Sequence, residues 1–241
     1  MNLEAGHREA RLIEKAESGD QTAITILALL RKLVVHQFHN TSSTARARNK
    51  WSVDDGRWLK EDAANLASFL FRLRVTEERS YRRIVETLRQ ILPFFADFEL
   101  EPEYDHLLLR WREQGSDVIF SAAQAADGML RAMALTALLL QPEKDLPHVL
   151  VLDEPELGLH PYAINVIAGL IRSAATHVQV VLATQSVSLI DHFSPEEIVV
   201  VERKASESLF RRLEEPQLRE WLEEYTLSEL WEKNVIGGRP A

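Results

Sequence analysis

Two adjacent carboxylates follow a short apolar run in the C-terminal half of the sequence. The run at 148–152 has the pattern of a buried strand, and Asp153 and Glu154 come directly after it. In a parallel sheet, ligands bind in the crevice at the carboxyl ends of the strands. Asp153 is suited to hold Mg²⁺, which prefers hard oxygen ligands, and Glu154 is suited to orient or deprotonate a water that attacks a phosphoanhydride. Taken alone, the pair also fits an ordinary strand end that caps the next helix.

The elements around these carboxylates alternate between helix and strand. Helices are predicted at 127–140, 161–174 and 187–192, and strands at 148–152, 178–183 and 198–202. Strands rich in Val, Ile and Leu that are separated by helix-length segments imply parallel pairing, with helices on the faces of the sheet. This part of the chain therefore predicts an α/β fold.

The rest of the chain is predicted to be mostly helical. The predicted elements are helices at 8–32, 61–73 and 77–92, a strand at 33–38, a hairpin from 107–111 and 118–120, and a tail helix at 216–233 whose last piece starts with a capping box at Thr226 and Glu229. We divide the chain into a mostly helical segment, 1–105, and a core with a helical tail, 106–241.

Composition removes several classes of function. The 241 residues include no cysteine, which excludes disulfides, thiol nucleophiles and zinc–cysteine sites. No signal-peptide core and no membrane-spanning run is present, so we expect a cytoplasmic protein with no membrane partner. The net charge is −9, although residues 41–90 carry 11 Lys or Arg against 7 Asp or Glu. A solvated helix face explains that basic stretch better than a nucleic-acid surface.

The residues after the carboxylates extend the motif. The segment Asp153–Pro161 reads DEPELGLHP and resembles the DEPE-x-x-LHP Walker B segment of ATP-binding-cassette-like ATPases of the chromosome-maintenance, RecF and overcoming-lysogenization-defect type. The resemblance implies a partial P-loop NTPase fold, a parallel sheet flanked by helices with a helical insertion, and ATP and Mg²⁺ as cofactors. It also implies that 157–160 form the D-loop at a dimer interface, with His160 beside the nucleotide. Alone, His160 fits a helix N-terminus before Pro161.

An upstream segment resembles the signature of the same family. Ala126-Asp127-Gly128-Met129-Leu130-Arg131 stands where these ATPases have SDG-x-LR. The resemblance implies that this helix N-terminus, an anion-binding feature, faces the γ-phosphate held by another subunit, and that Gly128 lets the backbone come close. Ala126 replaces the usual Ser and removes one hydroxyl donor. A lone Asp-Gly would be only a turn signal.

Two further segments resemble the family. Gln185, at the end of Val180–Ser186 and 31 residues after Glu154, matches the switch position, where it can donate a hydrogen bond to a γ-phosphate or a water. A polar strand end is the alternative. Residues 198–238 resemble the closing segment, and their Trp and Leu residues are most simply core.

The phosphate-binding loop of such ATPases does not occur in the sequence. No Lys is preceded by a glycine-rich loop and followed by Ser or Thr. We therefore expect a truncated or split ATPase, working as a homodimer or with a partner chain that supplies the missing lobe. The alternative is a non-catalytic module that binds a partner protein or DNA. The family often acts on DNA or in phage defence, but no residue here specifies either.

Overall fold

The computed structural model describes residues 11–30, 33–204 and 207–238. Its helices are α1 Leu12–Glu17, α2 Gln21–Leu30, α3 Leu66–Thr76, α4 Glu78–Ile91, α5 Asp127–Leu139, α6 Pro161–Ala174, α7 Val187–Ile190, α8 Glu215–Leu222 and α9 Leu227–Glu232. Its strands are β1 Val34–His36, β2 Trp51–Ser52, β3 Phe95–Phe98, β4 His106–Leu107, β5 Arg110–Glu113, β6 Ile119–Ser121, β7 Val149–Asp153, β8 Gln179–Ala183, β9 Val199–Lys204 and β10 Glu207–Arg212.

A three-stranded parallel sheet, in the order β1-β7-β8, carries the candidate site. Leu150 and Leu152 of β7 are fully buried on one face of this sheet. Val35, Val151 and Val181 lie side by side on the other face, where Val35 is 42% exposed and Val181 45% exposed. Because side chains alternate along a strand, Asp153 ends β7 on this uncovered face.

The predicted strand at 198–202 forms, but its expected parallel pairing is wrong. It is β9, and it pairs antiparallel with β10 in a separate two-stranded sheet. The residues that follow β9 provide an adjacent partner through a short connection, which antiparallel pairing permits. The predicted hairpin is present as β5 and β6, and β3 adds a third antiparallel strand that the sequence pattern did not reveal.

Three predicted helices have different bounds from those expected. The helix at 8–32 is instead α1 and α2 over its described part, because Gly19 adopts φ 88° and Asp20 caps the second helix through the amide of Ala23. The helix at 61–73 begins only at Leu66, after Ala63 takes a positive φ of 54°. The tail is divided into α8 and α9, with the predicted Thr226–Glu229 capping box at the start of α9.

One hydrophobic core joins the N-terminal half of the described chain to the parallel sheet. Leu70, Leu88, Trp111, Met133 and Leu152 belong to this one cluster, so the core is shared across position 105. A smaller cluster, with Val200, Leu218 and Leu230 among its members, packs the tail helices on the β9–β10 pair. No helix in the described part of the chain is long and apolar enough to cross a membrane.

Candidate functional site

The two carboxylates lie at the carboxyl end of the parallel sheet, as the sequence predicted. Asp153 is the last residue of β7 and is paired in register with Ala183 of β8. Glu154 follows in a left-handed conformation, with φ 43°, and its amide donates a hydrogen bond of 2.8 Å to the carbonyl oxygen of Ala183. A non-glycine residue held in this region is strained by about 1–3 kcal/mol, and such strain clusters at functional sites.

Two side chains that the sequence analysis did not select face these carboxylates. The Gln37 amide donates to Asp153 Oδ2 at 2.8 Å. His39 Nε2 lies 3.1 Å from the Asp153 carbonyl oxygen and 3.8 Å from Glu154 Oε2. Since a carbonyl oxygen can only accept, the Nε2 atom of His39 carries the proton of this bond. The sequence placed Gln37 inside a predicted strand at 33–38 and did not indicate that this strand pairs with β7, so neither contact could be predicted from it.

A side-chain hydrogen bond ties the segment 184–186, which contains the predicted switch residue Gln185, to the turn after β7. The Thr184 hydroxyl donates to Glu156 Oε1 at 2.5 Å and accepts from the Ser186 amide at 3.0 Å. Gln185, between them, is exposed, and no bond of its side chain occurs among the described residues. Burial raises the pKa of Glu156 above its ordinary value, against the opposing effect of the Thr184 bond. The bonds of Thr184 and Ser186 therefore fix the backbone on both sides of Gln185, whose own side chain is exposed.

The signature segment begins α5. Ala126 is the N-cap residue, and its side chain makes no capping bond. The exposed Asp127 pairs with Arg48, whose Nη2 lies 3.2 Å away. The Arg48 side chain is only 9% exposed, and it also donates to the carbonyl oxygens of Ala122 and Ala125. The Arg48 guanidinium therefore holds the backbone just before α5 and the first residue of that helix.

Gly128 has a close neighbour within its own chain. A Cβ atom at this position would lie 2.4 Å from the carbonyl oxygen of Gly158. Gly158 itself has φ 72° and stands in the D-loop segment. The start of α5 is therefore packed against the backbone of the segment 157–160, which is a reason within the chain itself for glycine at 128.

Arg131, one turn further along α5, connects three segments. Its Nε donates to the Phe38 carbonyl oxygen at 2.9 Å, its Nη2 to that of His39 at 2.9 Å and its Nη1 to that of Leu157 at 3.1 Å. The signature helix is thus bonded both to the loop that presents His39 and to the D-loop.

His160 acts as the N-cap of α6. Its Nδ1 atom accepts a hydrogen bond from the Tyr162 amide at 3.2 Å, and the residue is exposed. This is the capping role that its position before Pro161 indicates. Its expected contact with a nucleotide stays a prediction.

The donor set at the sheet edge fits a magnesium ion. Asp153 offers a carboxylate with one oxygen engaged by Gln37, and Glu154 adds a second carboxylate next to it. No group of three or more His, Asp or Glu that could hold a metal occurs in the described ranges. Magnesium is usually held by one or two carboxylates together with waters and substrate phosphates, so such a group is not required.

A family model described as "AAA domain, putative AbiEii toxin, Type IV TA system" matches residues 9–191. The chain belongs to this family. The matched range includes Asp153, Glu154 and Gln185 and the segments 126–131 and 157–160 of the AAA-domain chain. No curated protein matches its sequence.

Solved structures of Smc heads are similar to this AAA-domain chain, and the one with a TM-score above 0.5 shares its fold. An Smc head bound to the C-winged helix domain of ScpA superposes with a TM-score of 0.54 at 14% identity, covering 76% of this chain and 56% of that one. An Smc head domain from Pyrococcus furiosus, with an extended coiled coil and bound to the C-terminal domain of ScpA, gives 0.48 at 17% identity, with 68% and 44% covered. A chain described in terms of ATP-driven dimerization and DNA stimulated activation of SMC ATPases gives 0.49 at 18%, with 64% and 94% covered. The chain thus spans about half the length of two of these structures.

Proposed function

We propose that this chain supplies the hydrolytic residues of an ATPase whose phosphate-binding loop comes from another lobe, on a second chain or elsewhere in the same protein. The observation that carries the proposal is the arrangement at the end of β7. Asp153 is held by Gln37 at 2.8 Å, and Glu154 stands beside it in a strained conformation at the edge where parallel sheets bind ligands.

Each residue has a role in this proposal. Asp153 holds Mg²⁺, which when bound neutralises phosphate charge, and Gln37 orients the Asp153 carboxylate. Glu154 accepts the proton of the attacking water, and His39 lies within 3.8 Å of the carboxylate that receives it. Gln185 orients the water or the γ-phosphate. The amides at the start of α5, at Ala126, Asp127 and Gly128, together with His160, meet the phosphates of a partner subunit.

The uncovered face of the parallel sheet supports the need for a second lobe. Parallel sheets occur almost only with both faces covered. Here Val35, Val151 and Val181 form an apolar row that is left partly open, and Asp153 ends the same face. A lobe that covered this row would bring its phosphate loop to Asp153.

The second candidate is a non-catalytic module that binds a partner protein or DNA. The same apolar row favours it, together with the Ala at position 126, which lacks the hydroxyl that the signature usually provides. A module of this kind would not need the strained Glu154, so substitution at this residue separates the two candidates.

The test uses the chain combined with a lobe that carries a strand, a GxxxxGK[ST] loop and a helix. We expect ATP hydrolysis by the assembly. Glu154→Gln should keep ATP binding and lower turnover by roughly 10²-fold or more, as loss of a general base does. Asp153→Ala should weaken the magnesium-dependent binding itself.

The matched control is Glu86→Gln, which makes the same change on the exposed face of α4, far along the chain from the carboxylates. It should leave turnover unchanged. Full activity of the Glu154→Gln assembly would remove Glu154 from the role of base, and no hydrolysis by any complemented assembly would favour the non-catalytic candidate.

A further inference from the structure

One buried carboxylate beside the site has no part in the mechanism above. Glu156 lies two residues after Glu154, and its Oε1 atom accepts the Thr184 hydroxyl at 2.5 Å. Its Oε2 atom is buried with no partner among the described residues. A buried oxygen without a partner is costly, so the position of this side chain calls for an explanation beyond stability.

Two hydrogen bonds join the turn after β7 to the segment 183–186, and a third lies within that segment. The Glu154 amide donates to the Ala183 carbonyl oxygen at 2.8 Å, the Thr184 hydroxyl donates to Glu156, and the Ser186 amide donates to the Thr184 hydroxyl oxygen at 3.0 Å. The first bond holds Glu154 at its positive φ. The other two fix the backbone on both sides of Gln185.

We propose that Glu156 and Thr184 are a positioning pair, which sets the orientation of Glu154 and Gln185 together through the hydrogen bond between them. The proposal rests on the proposed ATPase function for its catalytic consequence. Because Gln185 has no side-chain bond of its own among the described residues, its placement depends on the segment from Thr184 to Ser186. A small displacement of groups that act on a reacting atom lowers the rate much more than it lowers binding.

The test is a set of near-isosteric variants in the complemented assembly. Glu156→Leu and Thr184→Val remove the bond, whereas Glu156→Gln and Thr184→Ser keep an acceptor and a hydroxyl. We expect Glu156→Leu and Thr184→Val to lower kcat by at least roughly tenfold, with the KM for ATP within about twofold of the wild-type value. The conservative variants, Glu156→Gln and Thr184→Ser, should keep most of the wild-type kcat. The Leu/Val double variant should be no slower than the slower single variant, because both changes break the same bond.

A second measurement, on the chain alone, keeps the proposal independent of ATP hydrolysis. Amide exchange at Glu154 should accelerate at least tenfold in Glu156→Leu and stay near the wild-type rate in Glu156→Gln. Thr176→Val is the control, since it removes an exposed hydroxyl that bonds the Ser173 carbonyl oxygen at 2.7 Å. If wild-type assemblies do not hydrolyse ATP, the proposed function fails. The amide exchange rate of Glu154 in the chain alone still tests whether Glu156 and Thr184 act as a positioning pair. Unchanged amide exchange at Glu154 in a folded Glu156→Leu chain would overturn the positioning pair. So would losses of kcat in the two single variants that add up in the double variant.

Discussion

The glycine at position 128 has two explanations, one from the family resemblance and one from the structure. The family resemblance explains this glycine by the approach of a partner's phosphate. The structure adds a neighbour in the same chain, the Gly158 carbonyl oxygen, which would lie 2.4 Å from an added Cβ. Since that neighbour is backbone, a side chain at 128 must displace the D-loop turn, whether or not a phosphate is bound.

Gly128→Ala should therefore destabilise the chain, although alanine is a better helix former than glycine. We expect a loss of about 1–3 kcal/mol in the free energy of unfolding from the clash, partly offset by helix propensity. Gly169, inside α6, is the control, because an added Cβ there meets nothing within 4 Å. Gly169→Ala should stabilise by about 0.5–1 kcal/mol. Urea unfolding checks both, and equal effects at the two positions would contradict the close packing.

At the scale of elements, β1 belongs to the core and to the site at once. Its last residue, His36, is 6% exposed, and its Nδ1 atom is buried without a partner in the described structure. Burial lowers the pKa of His36 from 6.5 to about 4. The next residue, Gln37, reaches Asp153. The strand that buries this imidazole is therefore followed directly by the amide that bonds Asp153.

His36 should make folding sensitive to acid. Its pKa is lower in the folded than in the unfolded chain, so its contribution is complete above pH 6.5 and is lost as pH falls towards 4. Between pH 7 and 4, wild type should lose about 3 kcal/mol more unfolding free energy than His36→Leu. Urea unfolding at several pH values measures this, with His148→Leu, at an exposed position, as control. Parallel pH profiles for wild type and His36→Leu would refute it.

At the scale of the whole molecule, the two faces of the parallel sheet differ in how far their side chains are buried. Leu150 and Leu152 are fully buried in the main core, whereas Val35 and Val181 on the opposite face remain more than two-fifths exposed. The carboxylates and the segments that resemble the switch and the signature are present, but the sequence has no GxxxxGK[ST] loop. Under the proposed function, the chain would contact phosphates at one side without enclosing them.

The chain alone should bind Mg-ATP weakly or not at all. Without backbone amides that wrap the phosphates, isothermal titration should give no saturable binding in the micromolar range, where a site worth about −8 kcal/mol would be visible. The complemented assembly serves as the positive control. Tight, stoichiometric binding by the chain alone would mean that other residues of this sequence cradle the phosphates, and it would end the proposal of a second lobe.

The sequence by itself determined the elements with strong patterns. The apolar run before Asp153, the 3.6-residue periodicity of α4 and the capping box of α9 each specify local structure through short-range geometry. It also indicated Asp153, Glu154 and Gln185, because carboxylates and polar residues at the ends of parallel strands share one edge of the sheet. Their catalytic roles stay predictions.

Only the tertiary structure decided which residues from distant segments meet. Gln37 and Asp153 are 116 positions apart, and the bond between them depends on β1 pairing with β7. The same holds for Arg131, whose guanidinium contacts carbonyl oxygens of two separate loops. The pairing of β9 with β10 was missed because strand patterns specify burial and not the choice of neighbour. Such contacts follow from packing in three dimensions, which no local spacing encodes.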